Sequence, residues 1–286
     1  MPRDTGFPRA DVENDFLRVR RRQVLARLAH WLTREPDDVN LMLPYDEAVA
    51  ALGFESERRI GLKTIRLDRI VGTVDSHHDF DRRFRPTSTR VRERWEKLAL
   101  AERRGASIPP IDVYKVGAMY FVKDGHHRVS VALATGRTTI DAYVTEVRTT
   151  IPPKDIRSRR DLLFKSYERI FLARVPLPPQ MREKIEVRDP WSYAELGECV
   201  EAWGFRYIQH EHQFGDREEI ARRWFTEEYT PVVRMLRDAD LLGEGTDAEA
   251  YMRVAAERYR LMLTHQWSDD VIQRLRGLSG ERRRRR

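Results

Sequence analysis

The spacing of apolar positions changes period several times along the chain. Between residues 11 and 34 they recur every three to four positions, so that Leu17, Val24, Leu25, Leu28, Trp31 and Leu32 share one face, with Arg20, Arg21 and Arg22 mostly elsewhere. That spacing predicts an amphipathic helix with this stripe turned inward, stopped near Pro36. Residues 45–52 predict a second, short helix ended by Gly53. The period then falls to two. "GLKTIRLDRIVG" predicts a strand near Thr64–Leu67, and "PPIDVYKVG" with "AMYFVKDG" predicts a hairpin joined at Gly117. "TTIDAYVTEV" puts Ile140, Ala142 and Val144 on one side of a half-buried strand. Helical spacing is expected over Arg90–Arg104, through Val91, Trp95, Leu98 and Ala99, and again over residues 126–135.

Beyond "IPPKDIRSRR", a linker by its paired prolines and clustered charge, the pattern is helical throughout. Asp161–Arg174 predicts one helix, ended by "PLPP". Ser192/Glu195, Asp216/Glu219 and Thr246/Glu249 have the spacing of capping boxes, in which a side chain accepts from an amide at the helix start and the glutamate reaches back. Pro231 is expected to kink or split the helix that holds Trp224 and Tyr229. Trp191, Trp203, Trp224 and Trp267 are expected in the helical core, and "IQHEHQFG" as a turn between helices. The expected fold class is α+β: an N-terminal helical segment (1–61), a mixed-sheet domain (62–150), a linker (151–160), an all-α domain (161–279) and a basic tail (280–286).

Composition narrows the class. With 286 residues, 41% hydrophobic and 35% charged, the chain reads as globular with a heavily charged surface. No apolar run reaches membrane-spanning length, and the N-terminal stretch has no secretory apolar core, so a cytoplasmic protein with no membrane partner is expected. Cys199 is the single cysteine, which excludes an intrachain disulfide and a cysteine-based zinc site. The net charge of +7 owes five units to Arg282–Arg286, leaving a nearly balanced body. That tail reads as a solvated, disordered end that could also meet DNA by counterion release.

The candidate chemistry sits in "YFVKDGHHRVSVALATG", where a strand stops at Asp124-Gly125 and a helix begins at His126, His127 and Arg128. A helix start presents backbone N–H groups and partial positive charge, and so attracts anions. Gly125 lacks the Cβ that would obstruct a phosphate, Arg128 can donate a parallel pair of hydrogen bonds, and His126 and His127 can donate or move a proton near neutral pH. Asp124 can accept from a ribose, meet a metal or cap the helix. The same residues also fit a capped helix with surface histidines. A second polar cluster, "VDSHHDFDRRFRP", offers Asp75, His77, His78, Asp79, Asp81, Arg82 and Arg83. Neither His-His pair has the spacing of a recognised ligand motif, so no transition-metal site is expected.

A strand, "DGHHR", a short helix and a returning strand resemble the ParB/sulfiredoxin superfamily over roughly residues 62–147. The corresponding motif reads Gly-Glu-Arg-Arg in ParB-type CTPases and Gly-Cys-His-Arg in sulfiredoxins; ParB-fold free serine kinases show a form like the one here. Gly125 and Arg128 match all of these, and His127 matches the sulfiredoxin histidine. The resemblance implies nucleotide phosphates at Asp124, Gly125, His126, His127 and Arg128, ATP or CTP with magnesium, and His126 as the catalytic candidate. It implies a pocket role for the loop carrying Asp75, His77, His78, Asp79, Asp81 and Arg82. Because His126 stands where sulfiredoxin has its nucleophilic cysteine, sulfiredoxin chemistry is excluded. "WFTEEYTPVVRMLRDADLL" is similar to the helical C-terminal part of bacterial ParB-like proteins. Three functions stay open: phosphoryl transfer or nucleotide-dependent switching, a DNA-associated regulator, and an interaction module with a degenerate pocket.

Overall fold

The computed structural model of the chain describes residues 5–33, 41–74, 79–211 and 215–262. The chain divides into two compact units, Met1–Lys165 and Ser166–Arg286. The first is α+β and is built on a six-stranded mixed sheet of order β1-β3-β5-β4-β6-β2. Its elements, in chain order, are α1 (Pro8–Thr33), β1 (Leu43–Pro44), α2 (Tyr45–Leu52), β2 (Phe54–Arg66), β3 (Ile70–Thr73), α3 (Arg92–Arg103), β4 (Ile111–Val116), β5 (Met119–Asp124), α4 (His126–Ala134) and β6 (Thr139–Thr149).

The hairpin expected at Gly117 forms as antiparallel β4 and β5, and β5 lies parallel to β3. On the other side β4 runs parallel to β6, which pairs antiparallel with β2. β2 is longer than the expected Thr64–Leu67. Its first half, "FESERRIG", carries alternating charge rather than alternating apolar residues. It is a strand because β6 supplies a ladder from Phe54↔Thr149 to Arg66↔Thr139, and its side chains there stay mostly exposed, so charge is tolerated along it.

One face of the sheet carries the core. Ile111, Val113, Ala142 and Val144 meet Trp95 and Ala99 of α3 and Val129 and Ala132 of α4. Trp95 is fully buried; its indole N–H donates to Ser130 Oγ at 2.9 Å and its ring meets Phe16 of α1 edge-on at 5.6 Å. α1 packs by a different face from the expected one. Its buried residues include Asp11, Val12, Asp15 and Phe16, whereas Leu17, Val24 and Leu25 are exposed; the side chains of Leu28, Trp31 and Leu32 lie outside the described residues. The reason is electrostatic. Arg103 of α3 bonds Asp15 and lies 3.7 Å from Asp11, and a charge can be buried when a partner accompanies it.

The Thr5 backbone N–H and hydroxyl donate to Asp11 at 3.0 and 2.7 Å, and these bonds hold its carboxyl below the usual carboxylate range, helped by Arg103. A carboxyl depressed in the folded state contributes stability above its unfolded value and loses it as pH falls through the folded value. Asp11→Asn should therefore lower the melting temperature at neutral pH and flatten the acid limb of a melting-temperature profile; a parallel profile would refute the assignment.

The second unit is helical within its described residues. α5 (Arg159–Arg174) begins in the first unit and ends in the second, and α6 (Pro179–Arg182), α7 (Ser192–Glu211), α8 (Arg217–Arg223), α9 (Thr230–Asp238) and α10 (Asp247–Met262) follow it. The capping-box expectation holds in full at Thr246/Glu249 and by its first half at Asp216/Glu219, whose glutamate bonds Arg223 instead. Asp216 accepts from the Glu219 amide at 2.7 Å, and Thr246 and Glu249 bond reciprocally at 3.1 and 3.3 Å. Ser192 instead lies inside α7, because Asp189 caps one turn earlier, accepting from the Trp191 amide at 2.9 Å. Asp161 caps α5 by reaching back to the Arg157 and Ser158 amides at 2.8 and 2.7 Å.

α8 and α9 are joined by a π-helical turn, Trp224–Tyr229, with Pro231 in the first turn of α9. Proline lacks an N–H and its ring crowds the carbonyl four residues back, so a locally wider turn lets the chain continue without a break. Trp224 is fully buried and Trp203 packs on the same core, but Trp191 is 64% exposed; Trp267 lies outside the described residues. α7 runs on through His210 rather than turning at it, and His212 is not among the described residues. Among the described residues, no helix is long and apolar enough to cross a membrane.

Candidate functional site

"DGHHR" occupies the junction of β5 and α4. Asp124 is the last residue of β5 and Gly125 is the N-cap of α4, with φ +111°. Two constraints require glycine there. L side chains avoid that backbone region, and a Cβ would lie 2.4 Å from Ile111 Cγ2 on the neighbouring strand β4. Close packing of the turn against β4 therefore brings the start of α4 flush with the end of the sheet.

The next three residues diverge. His126 points inward and is 7% exposed. Its Nε2 lies 2.6 Å from Thr73 Oγ1, and that hydroxyl also reaches the Val122 carbonyl at 3.2 Å. Phe84 tilts over the ring at 6.2 Å. His127 is half-buried and meets Phe80 edge-on at 5.1 Å. Arg128 folds back over the turn. One end of its guanidinium bonds Asp124, and the other bonds the Pro110 carbonyl and, at 3.3 Å, that of Pro109. Its side chain is 17% exposed and that of Asp124 62%. Arg128 thus fastens the end of β5 to the entry of β4, while its carboxylate partner faces solvent.

The second polar cluster approaches the first through its aromatic residues. Phe80 and Phe84 place the loop after β3 against both histidines. Asp81 organises that loop, accepting from the Arg83 and Arg85 amides at 2.9 and 3.0 Å and from Arg85 Nε at 2.8 Å. Asp79 accepts from Ser88 Oγ at 3.4 Å, and Arg82 donates to the Arg157 carbonyl. Asp75, His77 and His78 lie outside the described residues. Among the described residues, no three His, Cys, Asp or Glu side chains gather as a metal site.

Sequence reasoning missed Thr73, Phe80, Phe84 and the Pro109 and Pro110 carbonyls. Thr73 carried a signal. It is a polar residue in the run "RIVGTV" of a buried strand, and such a hydroxyl needs a partner. Backbone carbonyls leave no such trace.

No protein-family model matches the chain, and no curated protein matches it. Among solved structures, the chain matches a Pnob8-like ParB-N domain. The identity is 11% and the TM-score 0.22, over 73% of this chain and 83% of that one.

Proposed function

We propose that the α+β unit binds a nucleotide, ATP or CTP with magnesium, at the start of α4, for phosphoryl transfer or nucleotide-dependent switching. The supporting observation is the Gly125 turn. A left-handed glycine packed on Ile111 sets the first turn of a nine-residue helix at the end of the sheet, with Arg128 and Asp124 beside it. Such a helix start favours a phosphate. Magnesium takes few protein carboxylates and draws its remaining ligands from the phosphates and water, and Asp124 is the exposed carboxylate beside this helix start. The ParB/sulfiredoxin resemblance of "DGHHR" points the same way.

On this reading Arg128 would hold a phosphate in place of the Asp124 carboxylate, and Asp124 would be the carboxylate available to hold the magnesium. His126, wedged between Thr73 and Phe84, positions the turn. Arg128→Ala should weaken magnesium-nucleotide binding by about 1.5–3 kcal/mol, the range for a hydrogen bond to a charged group. Arg128→Lys should recover part of it, since an ammonium lacks the planar fork. Calorimetric titration of ATP and CTP into parent and variants tests this. A folded Arg128→Ala with unchanged affinity for both would return the motif to a turn-fastening role.

A further inference from the structure

The helical unit contains a pocket of about 840 Å³ between the segment that precedes α7, the π-helical turn and α9, and the start of α10. That volume suits a small ligand. Its apolar wall is Val187, Phe225 and Val233. Its rim is basic. Lys184, Arg188 and Arg234 make no side-chain ion pair among the described residues, whereas Arg237 is held by Asp247 at 2.9 Å; Glu186 is the remaining acid.

Tyr229 closes the π-helical turn and lines the same pocket. It is 3% exposed, and its hydroxyl has no hydrogen-bond partner among the described residues. Its ring is fixed by Trp224 at 5.1 Å and by Phe225 and Tyr251 at 5.4 Å. The charged groups acting on the hydroxyl, Asp247, Arg237 and Glu186, all line the pocket. Burial, and after it the Asp247 carboxylate, pushes the phenol up, so it stays an O–H donor. A buried donor left unsatisfied costs stability, and such groups mark strained, watered or functional places in a fold. π-Helical turns concentrate at such places.

We infer that this pocket binds a small amphipathic organic anion, its acidic head on Lys184, Arg188 and Arg234 and its apolar body on Phe225 and Val233. This site is independent of the nucleotide reading.

The test titrates phenylbutyrate, phenylbutanol and inorganic phosphate into the full chain, followed by ligand-observed NMR and calorimetry. Phenylbutyrate should bind saturably; phenylbutanol, which lacks the charge, and phosphate, which lacks the body, should each bind at least about tenfold more weakly. Arg234→Gln should weaken phenylbutyrate without changing the melting temperature. Tyr229→Phe removes an unsatisfied hydroxyl that a ligand in the pocket does not reach, so it should leave phenylbutyrate binding near the parent's and the melting temperature of the free protein unchanged or raised. No saturable phenylbutyrate binding, equal binding of phenylbutanol, or an Arg234→Gln variant that binds like the parent would each overturn the inference.

Discussion

Gly125→Val should destabilise the α+β unit by about 2–6 kcal/mol, measured by urea unfolding. Two separate costs combine. A β-branched residue at φ +111° is forced into a backbone region it avoids, worth roughly 1–3 kcal/mol. Its Cβ would also sit 2.4 Å from Ile111 Cγ2 and 2.9 Å from Ile111 Cβ, inside a packed core, with an overpacking cost of roughly 1–3 kcal/mol. Ile111→Ala relieves only the second cost, so the double variant should lose less than the sum of the single losses. A loss below about 0.5 kcal/mol, the range of an ordinary surface change, would show that the turn is not held as described.

Trp95→Ala should cost about 3–5 kcal/mol, the range for removing a buried large aromatic side chain. The indole is fully buried between α1 and α4, edge-on to Phe16, and its N–H satisfies Ser130. Trp95→Phe keeps much of the volume but leaves Ser130 Oγ without its donor, so it should cost less than alanine and more than Ser130→Ala alone. Because Ser130 is on α4, losing this support should also loosen the helix start that carries His126 and Arg128. Amide hydrogen exchange would show faster opening of α4 in both Trp95 variants. Slow exchange in α4 despite the lost stability would separate the core from the site.

How far the sequence disclosed this molecule follows from what each signal measures. The hairpin at Gly117, α4 and β6 were legible because apolar period, glycine placement and tertiary burial agree there. α1 was legible as a helix but not in its orientation. Hydropathy points Leu17, Val24 and Leu25 inward, and the partnership of Asp11 and Asp15 with a side chain far along the chain turns them out. The first half of β2 was hidden because a charged edge strand follows its neighbour's ladder and has no periodicity of its own. In the site, Gly125 and Arg128 were readable from the motif, but the inward turn of His126 depended on Thr73 and Phe84, which come from a separate strand and loop. The pocket beside Tyr229 had no local signature, since its walls come from segments distant in sequence.

The pairing of β2 with β6 also bears on how the chain is made. On the ribosome, β2 emerges well before β6 exists, and at about 5–20 residues per second it waits on the order of several seconds for its partner. During that interval it is a long extended segment with unsatisfied hydrogen-bonding groups, the form most open to pairing with a neighbouring nascent chain on the same message. Glu55, Glu57, Arg58, Arg59 and Lys63 lie along it. In the finished sheet Arg58 pairs with Glu146 of β6 at 3.2 Å, while on a strand still waiting for Thr139–Thr149 like charges of this kind oppose pairing with a second copy of the same segment.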